Sequence, residues 1–521
     1  MLPRMKFADG ITKTAQVKFG GYNHTLASGD GDIYDMQNMT ADNYPVLSSR
    51  PYRYLKAKLK KPNGMFAADG LCYVDGTGFY YNGELKGYVT DTKKSFAVMG
   101  RYIVIMPDKK FFQYETNEFG DIEAVYQSGE KQITFSDGTY AGEAAKGCCI
   151  KTSGKAFPFN AGDAITISGA TKNPSNNKQI IIREISEDKK TLTFYENSFE
   201  VGAEDGVVTL SRLMPNLDII YSFENRLWGA KGDTIYASKL GDIFNWNVFD
   251  LLASDSYQVD VGSTGDFTYG CAFRGYPCFF KSECVYKVYG DRPSNYQVLS
   301  SSTLGVEEGS NGAIAGETLF YLSRVGVVAY SGGIPQNISA VFGNVNYSNA
   351  RFGSNGEKLW VSMEDKSGFH LFCYDTKTGL WHKEDNTSVV DFAFTDQLYM
   401  LNSFGEIWTV GIAEATDGME KENKVLSEVI FGDFTDGSPN KKGVSKVQLR
   451  IGLASNSRVS VSISYDKGDW IPIKTVEADV KRSVYLPVIP RRTDNYRIKI
   501  TGIGMWDLYS LAKEYYNGSE L

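Results

Sequence analysis

The chain has 521 residues, a formal net charge of -7, 42% hydrophobic residues and 22% charged residues. That balance excludes a disordered chain and an overall basic nucleic-acid binder, and the length calls for more than one domain. With 33 Tyr, 30 Phe and 53 Gly, the chain reads as many short strands joined by tight turns, because aromatic side chains suit a pleated surface and glycine supplies positive φ.

Residues 1–63 are expected as an extended, Gly-rich arm ending in a first strand. The opening MLPRMKFADGITKT has no apolar run of signal-peptide length, and no segment reaches the roughly 18 apolar residues of a membrane helix. A protein made and folded in a cytoplasm is therefore expected. In YRYLKAKLKK, Leu55, Ala57 and Leu59 fall on one strand face and Lys56, Lys58 and Lys60 on the other. The lysine face could touch DNA or an acidic partner, but it also suits an edge strand protected from further pairing.

From about residue 64 a loose rhythm sets in. GMFAADGLCYVDGTGFYYNG holds short strands separated by Asp-Gly and Gly-rich turns. SFAVMGRYIVIMPDKKFFQYETN repeats the plan, and comparable units follow from Leu217 to residue 411. About seven units at this spacing predict a β-propeller over 64–127 and 215–411, since small two-faced sheets bury both faces only by stacking. Between 128 and 214 the rhythm breaks into short strands with Asn/Lys-rich turns, read as an inserted small β-barrel. Residues 412–425 read as a charged linker. KVQLRIGLA, RVSVSISYD, RSVYLPVIP and NYRIKITGIG then alternate like the strands of an antiparallel β-sandwich over 426–521. The fold class is thus all-β: a propeller with an inserted barrel and a C-terminal sandwich.

Chemistry-bearing motifs are sparse. The histidines are His24, His370 and His382, without metal-ligand spacing. Cys72, Cys148, Cys149, Cys271, Cys278, Cys284 and Cys373 lie mostly in apolar runs and form no C-x-x-C pair, which suits small buried hydrophobes in a reducing compartment. Asp30, Asp32 and Asp35 could gather oxygens for a hard cation, but turn chemistry explains them as well. The fragment GSTGDFTYG is Gly-rich yet lacks a strand–loop–helix setting for phosphate. Arg491 and Arg492, with Arg497, form a second basic group, at a sandwich loop suited to a protein contact. No catalytic residue, cofactor or metal is predicted, and a non-enzymatic role is expected.

Three segments together resemble the tail nozzle, or stabilisation, proteins of short-tailed bacteriophages and their prophage relatives. They are DIYDMQNMTADNYPVLSSRPYR, with Asn38, Asn43, Tyr44, Pro45, Arg50 and Pro51; NRLWGAKGDTIYASKLGDIFNW, from Asn225 to Trp246; and GVEEGSNGAIAGETLFYLSRVGVVAYSGGIPQNIS. In the second, Ile243 follows Asp242 where the family often has proline. The resemblance implies a virion tail component forming a homo-oligomeric, typically hexameric, ring. Its implied partners are portal–adaptor proteins and tail fibres or spikes, with double-stranded DNA passing through. The alternative from another class is a carbohydrate-binding or glycan-cleaving propeller acting in host recognition, which would need a pair of carboxylates in a cleft or exposed aromatic platforms.

Overall fold

The computed structural model describes residues 10–25, 32–416, 418–437, 439–477 and 480–517. The chain divides into two compact units, residues 1–71 with 306–521, and residues 72–305. It is all-β, with the fold class of a β-propeller, and among the described residues seven up-and-down antiparallel sheets have the form of blades. Blade one runs from Pro62–Ala67 to Glu84–Tyr88, and the division between units falls at the start of its strand Leu71–Asp75.

In the second unit, blade two runs from Ser95–Met99 to Glu118–Asp121, blade three from Ile219–Phe223 to Tyr257–Asp260, and blade four from Tyr269–Phe273 to Gln297–Ser302. In the first unit, blade five runs from Gly312–Ala315 to Gln336–Asn337, blade six from Ser348–Ser354 to Leu380–Asp385, and blade seven starts with Val389–Phe394, Leu398–Asn402 and Glu406–Val410. The second strands, such as Tyr102–Met106 and Thr318–Ser323, are apolar and buried almost throughout. A strand covered on both faces loses the polar alternation of a half-exposed one.

Blade seven takes its next strand from the start of the chain. Tyr54–Lys58 runs antiparallel to Glu406–Val410, with Glu406 opposite Lys58 and Ile407 opposite Ala57. The face expected to be apolar is buried at Leu55 and Leu59, while Lys56, Lys58 and Lys60 are exposed. The strand is not a free edge, because Glu420–Lys421 pairs along its other side.

The segment between blades two and three forms two sheets over Ala124–Arg212. They enclose a core that includes Phe135, Phe157, Phe159, Ile165, Ile167, Phe194 and Leu210. A buried ion pair between Arg212 and Asp163, with Asn245 Nδ2 donating to Asp163 Oδ1 at 3.0 Å, fastens this insert to blade three.

The C-terminal sandwich is not made by the C-terminal residues alone. In one sheet, Lys442–Leu453 lies between Trp506–Asn517 and Val480–Pro487. Leu47–Ser49 and Thr12–Gln16 pair with Trp506–Asn517. In the other, Ile33–Gln37 pairs with Leu426–Phe431. Where it is described, the expected extended arm contributes short strands to both sheets of the sandwich. Ile33, Met36, Met39 and Leu47 are buried in the sandwich core beside Val429, Phe431 and Val447. A bulge between Ile33 and Asp35 and a positive φ of 54° at Asn38 interrupt the alternation, which hides these strands from a period-2 reading.

The resembling motifs also have structural work. Asn38 Nδ2 donates to Leu426 O at 2.7 Å and its Oδ1 accepts from Arg50 Nε at 2.7 Å. Arg226, buried, donates to the carbonyls of Ser238, Asp255 and Ala253. Such contacts satisfy backbone acceptors that turns leave unpaired.

Candidate functional site

Within the first unit, a polar cavity of about 350 Å³ opens beside blades six and seven. Blade six supplies Lys358 and Trp360 from Lys358–Asp365, Cys373 and Asp375 from Gly368–Asp375, and Glu384 from Leu380–Asp385. The N-terminal segment adds Thr40, Asp42, Arg50, Pro51 and Arg53, and Gly411 and Ile412 follow the third strand of blade seven. Residues more than 300 positions apart thus meet because the start of the chain closes the last blade.

The walls are held by charge. Arg53 Nη2 lies 2.5 Å from Glu384 Oε2 and its Nη1 2.7 Å from Asp385 Oδ2. Arg50 grips Glu422 with both terminal nitrogens, at 2.5 and 3.1 Å. Trp360 Nε1 donates to Glu384 Oε1 at 2.8 Å. Lys358 is paired with Asp42 and lies 3.9 Å from Asp375 Oδ2. Glu357 and Lys377 form an exposed pair at 2.9 Å.

Burial opposes the charge on Arg53, but Asp385 and Glu384 outweigh it and hold the guanidinium above its ordinary pKa. Burial likewise works to raise Asp385, yet Arg53 keeps its carboxyl below the usual range. Burial pushes the Cys373 thiol well up, and burial together with Lys358 pushes His382 down to about 4, so the ring is neutral at pH 7. Arg53 Nε is buried without a hydrogen-bond partner, although the residue lines the cavity. A buried donor left open is where a ligand oxygen or a water gains most.

The side chains singled out from sequence lie mostly elsewhere. Lys56 and Lys60 are exposed on the strand that closes blade seven or just past it, and Lys58 Nζ lies 3.4 Å from Glu406 Oε1. Arg491 and Arg492 are exposed in the loop before Tyr496–Ile503, Arg491 with its guanidinium 5.7 Å from the Tyr465 ring. The two basic groups occupy different elements. Asp30 lies outside the described residues. Asp32 Oδ2 accepts from Asn23 Nδ2, and Asp35 Oδ1 accepts the Met36 N–H. Among the described residues, no three His, Cys, Asp or Glu side chains gather as a metal site.

His24 Nδ1 lies 3.0 Å from Tyr34 O. His370 sits between Ser367 Oγ and Asn386 Oδ1, 3.0 Å from each, but Asp365 Oδ1 takes both the Ser367 hydroxyl at 2.6 Å and the Ser367 N–H at 2.7 Å. That is a side-chain-capped hairpin turn, with the hydroxyl proton committed to a carboxylate. All seven cysteines are free, five of them buried. No described helix is long and apolar enough to cross a membrane.

The cavity residues were not legible beforehand. The run Leu380–Asp385, LWHKED, puts His382 and Glu384 on the buried face of a strand. Charge at a buried strand position is the signal that could have flagged them, since such groups require partners.

No family model matches the chain, and no curated protein does. Solved structures similar to it include an exo-β-1,3-galactanase from Phanerochaete chrysosporium, at 10% identity and a TM-score of 0.21, covering 56% of this chain and 94% of that one. Another is the endosialidase of phage phi92, at 9% identity and a TM-score of 0.24, covering 80% of this chain and 71% of that one. A third is a glycoside hydrolase family 43 arabinoxylan arabinofuranohydrolase from Bacillus subtilis, at 8% identity and a TM-score of 0.16, covering 58% and 95%. The expectation of a non-enzyme is corrected on this finding. It rested on missing sequence motifs and on the tail-protein resemblance, and the three solved structures just named carry the names of glycan-cleaving enzymes.

Proposed function

We propose that the chain engages glycans through the cavity beside blades six and seven, as a carbohydrate-binding or glycan-cleaving propeller. The observation that carries this reading is the lining itself. Donors and acceptors from Thr40, Arg53, Lys358, Asp375 and Glu384 converge beside Trp360 and Ile412, and Arg53 Nε lacks a partner. Cations and anions balance around the cavity, which suits a neutral polyhydroxylated unit, and its volume is that of a small-molecule site. Asp375 and Glu384 are the buried carboxylates of the lining, 7% and 4% exposed, and a cleavage reaction would draw on this pair.

The test is a glycan microarray followed by saturation-transfer NMR and assay of released reducing ends. Binding is expected to disappear in Thr40→Phe, which puts a ring into the cavity, measured on protein shown by circular dichroism to stay folded. A chain that retains no glycan across the panel, or binds equally well as Thr40→Phe, overturns the reading.

A second reading is the ring-forming tail component implied by the sequence resemblance. The observation favouring it is that Asn38, Arg50 and Arg226, which carry the resemblance, are buried pins of the scaffold. Shared pins support a shared architecture. Native mass spectrometry at micromolar concentration, alone and with a phage portal–adaptor complex, tests it. A strict monomer that never docks removes it.

A further inference from the structure

We propose that blade four carries an acyl-transfer site built from Ser263, Lys281 and Tyr286, acting on carboxylic esters. It lies wholly within the second unit and does not depend on the glycan reading. Ser263 belongs to the loop between Tyr257–Asp260 and Tyr269–Phe273, the GSTGD stretch that has no helix behind it. Lys281 ends the strand Tyr276–Lys281, and Tyr286 stands in the next strand, Cys284–Tyr289.

Two polar atoms converge on one hydroxyl. Lys281 Nζ is 2.6 Å from Ser263 Oγ and 3.0 Å from Ser263 O, while Tyr286 Oη donates to the same Oγ at 2.7 Å. Lys281 is 4% exposed and Tyr286 7%, whereas Ser263 is only half-buried. The remaining neighbours of the ammonium are the rings of Phe267, at 4.9 Å, and Tyr286, at 5.8 Å. No carboxylate pairs with Lys281 among the described residues. Nζ thus stands within hydrogen-bond reach of the serine proton.

Nucleophile, base and a third orienting group within hydrogen-bond reach are what covalent catalysis by serine requires. Gly262 and Gly265 flank the serine at φ 64° and 83°, and the N–H groups of Thr264 and Gly265 make no hydrogen bond within the described residues. They are unpaired donors adjacent in chain to the serine, the kind of group that can hold an oxyanion. With Lys281 as the neutral amine, Oγ attacks the ester carbonyl carbon and its proton passes to Nζ. The C–O bond to the alcohol breaks, and the alkoxide takes that proton as it leaves. Water then attacks the acyl-serine, giving a proton to Nζ. The acyl–Oγ bond breaks, Oγ regains the proton, and the carboxylic acid departs.

The experiment treats the full chain with a fluorophosphonate probe, which forms an Oγ–P bond with loss of fluoride, and locates the adduct by peptide mass spectrometry. Hydrolysis of p-nitrophenyl acetate is followed in parallel. An adduct is expected at Ser263 and absent in Ser263→Ala. Both rates are expected to fall about 100-fold or more in Lys281→Met. Lys281→Arg keeps a donor toward the loop but loses the base, and separates catalysis from folding should Lys281→Met melt early. An unlabelled Ser263 in the folded chain, or labelling unchanged in Lys281→Arg, overturns the proposal.

Discussion

Replacing Arg53 by Met tests whether charge pairing organises the cavity. The substitution keeps much of the buried stem and removes the guanidinium. Glu384 and Asp385, whose side chains are 6% and 18% exposed, then lose a cation that stood 2.5 and 2.7 Å away. The Arg53 N–H still donates to Glu422, and Trp360 still donates to Glu384, so the loss is specific to the ion pairs. Breaking a buried pair on one side costs about 3–5 kcal/mol, because the surviving charge is left with little water and no countercharge. Glu384→Gln removes one of the stranded charges, so the double variant should be less destabilised than the two single costs added, by about 1–3 kcal/mol. The pH dependence has a definite sign. Arg53 depresses Asp385 in the folded chain, so its stabilisation is fully present above the unfolded value of about 4 and is lost as pH falls through the lower folded value. In Arg53→Met that depression is gone and acid should stabilise the variant relative to wild type. Guanidinium unfolding, followed by tryptophan fluorescence from pH 3 to 7, reads all of these. A cost of about 1 kcal/mol or less, typical of a surface pair, would refute the argument.

Three further outcomes follow from the packing. His382 is held neutral at about 4 in the fold against 6.5 when unfolded, so the unfolded chain takes up the proton first and stability should fall by about 3 kcal/mol between those two pH values. A thermal-unfolding series comparing wild type with His382→Gln should show that slope only in wild type. At Gly353, a Cβ would stand 2.3 Å from Phe392 Cγ, where the first strands of blades six and seven abut. Gly353→Ala should therefore cost about 1–3 kcal/mol in denaturant unfolding. Arg226→Met strands the carbonyls of Ser238, Ala253 and Asp255. A loss of about 3 kcal/mol and faster hydrogen exchange over residues 238–256 are expected.

The blades were legible because their signal is local. Leu319, Phe320 and Tyr321, or Leu398, Tyr399 and Met400, are short apolar runs between turns, and each became the buried second strand of a blade. The strands of the N-terminal segment were not legible, because their partners lie more than 390 residues away and their alternation is broken at the bulge and at Asn38. A period-2 pattern reports a strand's faces only while the pleat is regular. The lysine strand shows both sides of this. Its two faces were read correctly from Leu55 to Lys60, yet sequence gave no hint that it would serve as an outer strand of the last blade.

The candidate sites failed to show in sequence for a different reason. Arg53, Glu384 and Trp360, like Ser263, Lys281 and Tyr286, are ordinary residues in ordinary strand or loop contexts, and no spacing rule joins them. Motif reading succeeds when one element, such as a helix or a glycine-rich loop, supplies the whole constellation. In a propeller each blade is a separate hairpin series, so a cavity at its margin draws on several blades, and a site within one blade draws on a connecting loop and two strands. What sequence does retain is the burial conflict. Lys281 ends the strand YPCFFK, buried from Pro277 to Lys281, and Glu384 sits at a buried position of LWHKED. A charge at a core position must find a partner or a use, and these two mark the places where the chain has gathered polar chemistry around it.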